Sequence, residues 1–208
     1  MWYAVIMMIY AVPYAPIPNK TALLTLMPPA RRMRYSLSAS NTGPLFAYAL
    51  LAFALERQCS LDAQKVVYTD GGKPYLPGHP VCFSLSHSKT HALCVLADRP
   101  VGCDIEAHRP VTERIRHRIL APIDASTDFF AHWTLKESYV KLTGDLERPF
   151  SSIAFALTEN HAAGPDSYGW IYREIPDCTA AVLSHAPFSR PDLTLLAAEV
   201  IFDYAAEK

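Results

Sequence analysis

A chain of 208 residues that is 50% hydrophobic, 11% aromatic and 19% charged carries enough apolar mass to bury a core, which excludes an intrinsically disordered protein. The length suits one compact domain or two small ones. A formal net charge of -1 provides no general basic field for nucleic acid, so any polyanion site must be assembled from local cations.

Residues 2–12 form a continuous apolar run rich in aromatic and β-branched side chains, and a first strand is expected there, ended by Pro13, Pro16 and Pro18. No Lys or Arg precedes Lys20, so the cationic start of a signal peptide is missing. The run is also shorter than the roughly 20 residues that span a bilayer. A cytoplasmic protein without a membrane partner is the expectation. Pro28 and Pro29 then precede the basic stretch Arg31, Arg32 and Arg34. Good helix formers run from Pro44 to about Cys59, with the proline suited to a first turn. A short strand at 65–69 leads into a turn at Asp70, Gly71 and Gly72.

Two apolar segments, 81–86 and 91–97, flank His87 to Thr90 and predict a hairpin. A strand at 101–106 and an amphipathic helix at 111–120 follow. A second long helix is expected from Asp128, a capping residue, to Thr143, with Gly144 at the stop position. Strands then dominate at 152–157, 168–175, 179–184 and 193–202. The order strand, long helix, several strands thus occurs twice, dividing near Asp98 into halves 1–98 and 99–208. This pattern is α+β rather than an alternating parallel sheet. Five scattered cysteines (Cys59, Cys82, Cys94, Cys103 and Cys178) form no Cys-x-x-Cys pair, as expected for reduced thiols.

Four segments carry chemistry. On a strand, Gly102, Asp104 and Glu106 share one face while Val101, Cys103 and Ile105 share the other. The two carboxylates suit a hard cation such as Mg²⁺, or are simply solvated. The helix around Trp133 is apolar on most faces yet holds Lys136, Glu137 and Lys141, charges that need partners or ligands. Glu137 and Lys141 also have the spacing of a plain i,i+4 ion pair. The segment from Ser84 to His91 offers Ser86, His87 and Lys89 to a phosphate. Zinc on Cys82, His87 and His91 lacks the further ligands it needs. Gly72-Lys73-Pro74 alone is an ordinary rigid turn.

Taken in order, Gly72-Lys73-Pro74, Ser84-Leu85-Ser86-His87, Gly102-Cys103-Asp104-Ile105-Glu106 and Trp133-Thr134-Leu135-Lys136-Glu137-Ser138-Tyr139-Val140-Lys141 resemble the motifs of the surfactin-synthetase-activating 4′-phosphopantetheinyl transferases. The resemblance covers residues 72 to 144 and implies two similar α/β halves forming a pseudo-dimer, with coenzyme A in the cleft between them. It implies Mg²⁺ held by Asp104, Glu106 and Glu137. Coenzyme contacts are implied at Lys73 and Pro74 on the adenine side, at Ser86, His87 and Lys141 on the phosphates, and at Lys136. Arg31 and Arg34 fall where basic 3′-phosphate contacts are expected. The chain departs from the family at Asn41-Thr42-Gly43-Pro44, where members carry an arginine.

The implied reaction moves 4′-phosphopantetheine to a serine of an apo-acyl or peptidyl carrier protein. Glu137 and Lys141 are its catalytic residues, and the protein works as a monomer. A coenzyme A-binding module without turnover and an unrelated Mg²⁺-dependent phosphoester hydrolase are the alternatives. Carrier proteins of this class are acidic, and the cations Arg114, Arg116 and Arg118, beside Ile115 and Ile119, form the densest candidate docking surface.

Overall fold

The computed structural model describes residues 7–36, 42–79, 81–124 and 128–208. Its elements run β1 (Met8–Pro13), α1 (Lys20–Thr25), α2 (Pro29–Ser36), α3 (Thr42–Cys59), β2 (Val67–Tyr68), β3 (Pro74–Tyr75), β4 (Cys82–His87), β5 (His91–Ala97), β6 (Val101–Ala107) and α4 (Glu113–Ile119). They continue with α5 (Phe129–Thr143), β7 (Ala156–Thr158), β8 (His161–Gly164), β9 (Ser167–Tyr172), β10 (Cys178–Ser184), β11 (Leu193–Leu195) and α6 (Ala198–Ala206). The start of the first expected strand, residues 2–6, and Asn41 lie outside the described residues.

The strands make a four-stranded sheet ordered β11-β1-β5-β4 and a five-stranded sheet ordered β6-β10-β9-β8-β7, with β2 and β3 paired apart. The mixed α/β architecture matches the α+β expectation. The predicted hairpin is present, with Cys82 opposite Ala97 and His87 opposite Ala92. Helix α3 covers the first sheet and buries Leu45, Phe46, Leu50, Leu51 and Leu55, each worth about 1.5–3 kcal/mol against exposure. It is apolar nearly all round because α6 covers its other side, where Phe46 meets Phe202 and Phe53 meets Tyr204 edge to face. Helix α5 covers the second sheet through Leu135, Tyr139 and Leu142. Its ends are those expected: Asp128 Oδ1 accepts from the Ala131 N–H, and Gly144 at φ 79° donates to the Val140 carbonyl.

The C-terminal segment corrects the sequence reading. A strand was expected over 193–202, but only Leu193–Leu195 is extended, parallel to β1. Ala198, Ile201, Tyr204 and Ala205 are buried at helical spacing on α6. This tail joins the first sheet and α3, so the division near Asp98 leaves 193–208 packed with the first half rather than the second. The strand expected at 152–157 is replaced by a single 3₁₀ turn at Phe150–Ser152 and a tight β7–β8 hairpin.

The two sheets meet where edge strand β4 runs beside edge strand β6. Ser84 Oγ accepts from the Cys103 N–H at 3.0 Å, and Ser86 Oγ donates to Asp104 Oδ1 at 2.6 Å. The alternation expected on β6 holds. Val101, Cys103 and Ile105 enter the core between the sheets, while Gly102 and Asp104 lie under α5. A Cβ at Gly102 would sit 1.9 Å from the Ser138 carbonyl oxygen and 2.7 Å from the Leu142 nitrogen, so only glycine admits the helix backbone there. Gly102→Ala is therefore expected to cost about 3 kcal/mol or more in urea denaturation, the upper end of overpacking. Gly71→Ala, whose nearest neighbour would be 3.8 Å away, serves as the control and should keep its stability. Equal stability of both variants would show that α5 does not rest on β6 at this point.

Candidate active site

Close approach at Gly102 brings the 133, 137 and 141 face of α5, one residue per turn, above the acidic face of β6. Lys141 Nζ donates to Asp104 Oδ1 at 2.8 Å and to Ser86 Oγ at 2.9 Å. With the 2.6 Å bond from Ser86 to Asp104, this closes a triangle across the seam. Burial works against the Lys141 ammonium, but Asp104 foremost among its neighbours lifts the pKa above the ordinary lysine value. Lys141 is thus a fixed cation at the foot of the cleft.

The cleft encloses about 610 Å³ and is bounded by Tyr48 of α3, Lys73 and Pro74 of the turn, Ser86 and His87 of β4, and Lys141. Lys73 Nζ donates to the Leu142 carbonyl at 3.0 Å, which ties the turn to the end of α5. Gly72 adopts φ 80° and lets the turn close through its N–H on the Thr69 carbonyl at 2.8 Å. Behind it, the Tyr48 and Tyr68 hydroxyls share a hydrogen bond of 2.8 Å, and the Arg31 guanidinium lies 4.3 Å from the Tyr68 ring centroid. His87 packs its ring against Gly43, where a Cβ would come within 2.7 Å of Nδ1. Burial first, then Lys141, lowers the His87 pKa, so the ring meets a ligand as neutral imidazole near pH 7.

Glu137 and Glu106 both have carboxyl pKa values raised, first by burial and then, in Glu137, by the Asp104 charge. Asp104 Oδ2 is buried and has no hydrogen-bond partner. Three carboxylates, one of them with an unsatisfied buried oxygen, fit a divalent cation in chemistry. Their side chains are nonetheless not gathered: among the described residues, no three His, Cys, Asp or Glu groups surround a common point. Glu106 Oε2 instead accepts from Arg109 Nη1 at 2.7 Å.

The structure therefore brings Lys73, Pro74, Ser86, His87 and Lys141 to one cleft, with Asp104 bonded at its foot. Arg31 stands at its edge, with Nη2 4.0 Å from the Cβ position of Gly72. Arg34 is exposed and lies over Tyr35 at 5.8 Å, while Arg32 is spent on the Met27 and Thr25 carbonyls and Gln64. Lys136 corrects the expectation that it meets the coenzyme. Its ammonium is wholly buried on the far side of α5, bonded to the Asp124 carboxylate and, at 2.7 Å, to the Ile119 carbonyl. Asp124, Arg109 and Tyr68 were not singled out from the sequence. Only the unexplained charge of Lys136 in an apolar helix pointed to a hidden acid. His91, considered for zinc, faces away from His87, its Nδ1 3.6 Å from Cys178 Sγ.

A cleft walled by Lys73, Lys141, His87, Tyr35 and Tyr48, with Asp104 beneath, has the cations, donors and volume that suit a phosphate-bearing ligand. The model of the 4′-phosphopantetheinyl transferase superfamily matches residues 100–189, which contain β6 and α5 whole. A 4′-phosphopantetheinyl transferase of Bacillus subtilis is 30% identical over 162 residues, 71% of this chain and 68% of that protein. The 4′-phosphopantetheinyl transferase Sfp of Bacillus subtilis is 28% identical over 191 residues, 81% of this chain and 84% of that protein. The 4′-phosphopantetheinyl transferase HetI of Nostoc sp. is 34% identical over 140 residues, 57% of this chain and 59% of that protein. The chain belongs to the 4′-phosphopantetheinyl transferase superfamily.

The two lysines of α5 separate experimentally. Lys136→Met leaves Asp124 as a buried acid without its cation and is expected to cost about 3–5 kcal/mol in urea denaturation. A coenzyme contact would behave oppositely, with stability kept and KM for coenzyme A raised.

Proposed function

We propose that this protein transfers the 4′-phosphopantetheine group of coenzyme A to a serine of an apo-acyl or peptidyl carrier protein, releasing 3′,5′-adenosine bisphosphate. The observation that carries this reading is the Ser86–Asp104–Lys141 triangle at the foot of a cleft large enough for a nucleotide, in a chain of this superfamily. The halves act as a pseudo-dimer, with the adenine and 3′-phosphate on the side of residues 1–98 and the catalytic helix on the side of 99–208. No helix among the described residues is long and apolar enough to cross a membrane. A cytoplasmic monomer is the form proposed.

The carrier serine oxygen forms a bond to the β-phosphorus while the bond to the α-phosphate bridging oxygen breaks, and negative charge grows on phosphate oxygens. Catalysis of this kind rests on positioning and fixed cations more than on covalent help. Lys141, already held at the foot of the cleft, faces the pyrophosphate. Neutral His87 donates a hydrogen bond to the phosphates, Ser86, whose hydroxyl proton goes to Asp104, holds Lys141 beside them, and Lys73 with Pro74 shapes the adenine side. Arg31, at the edge of the cleft, and the exposed Arg34 supply the 3′-phosphate cations. Mg²⁺ held by Asp104, Glu106 and Glu137 would neutralise pyrophosphate charge. Glu137, with its carboxyl pKa raised by burial and by Asp104, is the acceptor for the serine proton, directly or through a water.

Carrier recognition falls to α4. Arg114 and Arg118 are exposed, and Arg116 lies 5.1 Å from the Phe129 ring centroid at the start of α5. Ile119, counted in the apolar strip of this surface, is buried, whereas Ile115 is 38% exposed and Ile123 is 79% exposed. These two side chains supply the apolar part of the docking surface.

Incubation with coenzyme A, Mg²⁺ and an apo-carrier protein, read by mass spectrometry, tests the reading. A pantetheine-sized gain on the carrier serine is expected. Coenzyme binding without gain would leave a binding module, and phosphate release without a carrier would leave a hydrolase. Asp104→Ala should lower turnover by about a hundredfold or more, in line with 2.7–4 kcal/mol for a lost charge-stabilising group. Arg114→Glu with Arg118→Glu should raise KM for the carrier at low salt and leave KM for coenzyme A unchanged. An unchanged carrier KM would move the docking surface elsewhere.

A further inference from the structure

Tyr14 follows β1 and does not line the cleft, yet its polar contacts end on the turn that leaves His87. Its N–H donates to the Thr90 carbonyl at 2.8 Å, which continues the pairing of Pro13 with His91 at the end of β1. Its hydroxyl lies 3.1 Å from the Ser88 carbonyl and 2.9 Å from the His91 carbonyl and donates between them. Burial raises the Tyr14 pKa, so the phenol keeps its proton and stays a donor near pH 7. The ring is fixed in turn by Phe46 of α3, with the two centroids 5.1 Å apart. Inside the turn, Ser88 Oγ accepts from the Thr90 and His91 N–H groups at 3.2 and 3.1 Å. Ser88 thus closes the turn from within, and Tyr14 clasps it from without.

The same hydroxyl stands beside the imidazole. The Cβ position of Gly43, the second residue of α3, is 2.7 Å from His87 Nδ1, 2.9 Å from His87 Cγ and 3.0 Å from the Tyr14 hydroxyl oxygen. Three segments far apart in the chain therefore converge on a space that one methyl group would fill. His87 itself ends β4, exposed on the side that lines the cleft. A side chain at an exposed strand end has several staggered rotamers, and a ligand that needs one of them loses affinity in selecting it. A ring already seated against Gly43 and Tyr14 has that choice made in advance.

We propose that Tyr14, from outside the cleft, is a positioning residue for coenzyme A: its clasp on the turn at 88–91, with the bare backbone of Gly43, fixes His87 toward the phosphates before the coenzyme arrives. The inference rests on the reading that His87 meets those phosphates. Tyr14 touches no reacting atom and acts only through the ring it holds.

A double-mutant cycle on coenzyme A affinity, measured by calorimetry in Mg²⁺ buffer without a carrier, tests this apart from turnover. Tyr14→Phe keeps the ring on Phe46 and removes the clasp. It is expected to weaken coenzyme binding about three- to tenfold, the scale of one neutral hydrogen bond, and His87→Ala about tenfold or more. In the His87→Ala background, Tyr14→Phe should change the affinity less than about twofold. Gly43→Ala displaces the imidazole without touching the clasp, and should bring the loss of His87→Ala with the melting point kept; it carries the test if Tyr14→Phe melts early. The His87 ring signals in a carbon–proton NMR spectrum, identified by their absence in His87→Ala, should move in both Tyr14→Phe and Gly43→Ala. Unmoved signals with unchanged affinity overturn the inference and leave the function standing. An equal loss from Tyr14→Phe with and without His87 also overturns it, because the tyrosine then acts by another route. If wild type binds no coenzyme A, or His87→Ala binds it as wild type does, the reading of the cleft fails and the inference falls with it.

Discussion

The closeness of α5 to β6 is the constraint on which the rest of the cleft depends. A helix resting on side chains is held off its neighbour by their bulk. At Gly102 there is no side chain, and the backbone of α5 occupies the space a Cβ would need. That descent lets Lys141 reach a strand carboxylate and a serine of the other sheet at the same time. The first sheet contributes to the site only because its edge strand β4 lies along β6, held by Ser84 on the Cys103 N–H. Glycine on one strand and two alternate serines on its neighbour thus turn two separate sheets into one binding floor.

The charges on that floor are costly to bury, and each is balanced by a different device. Asp104 is answered by Lys141 and Ser86, Glu106 by Arg109, and Lys136 by Asp124 on the opposite side of the helix. Lys141 and Ser86 of the first set line the cleft, and Glu106 and Arg109 of the second are partly exposed. The last is closed, with both side chains at zero exposure, and ties α5 to the segment that follows α4. One helix therefore carries a closed ion pair on one side and, on the other, one that reaches the cleft. The buried acid beside Lys136 anchors the helix whose other face must be placed to within a fraction of an ångström over the strand.

Much of this was legible in the sequence. The hairpin, the capped ends of α5 and the alternation of β6 came from local rules, and these rules depend on neighbours within a few residues. The i,i+4 spacing of Glu137 and Lys141 placed them on one face, and the helix keeps them there, with Trp133 one turn before them. The reading failed where a local pattern had two solutions. The apolar run from Leu193 satisfied a strand by composition, yet Ala198, Ile201 and Ala205 also had helical spacing, and packing on α3 chose the helix. Lys136 failed for a related reason. It sits about 140° round the helix from Lys141, and nothing within α5 says which direction holds the cleft.

The sequence by itself determined the motif order, the two long helices, the central strands and the membership of the family, because these are written in residue types at fixed separations. Tertiary structure alone decided which charge answers which. Asp104 meets Ser86 and Lys141 from β4 and α5, 18 and 37 residues away. Lys136 finds Asp124 12 residues before it, across a turn. Even Arg109, three residues from Glu106, needed Trp133 of another element to hold its plane. A buried charge is satisfied by whatever the fold brings within about 3 Å, and that distance is set by packing rather than by position along the chain.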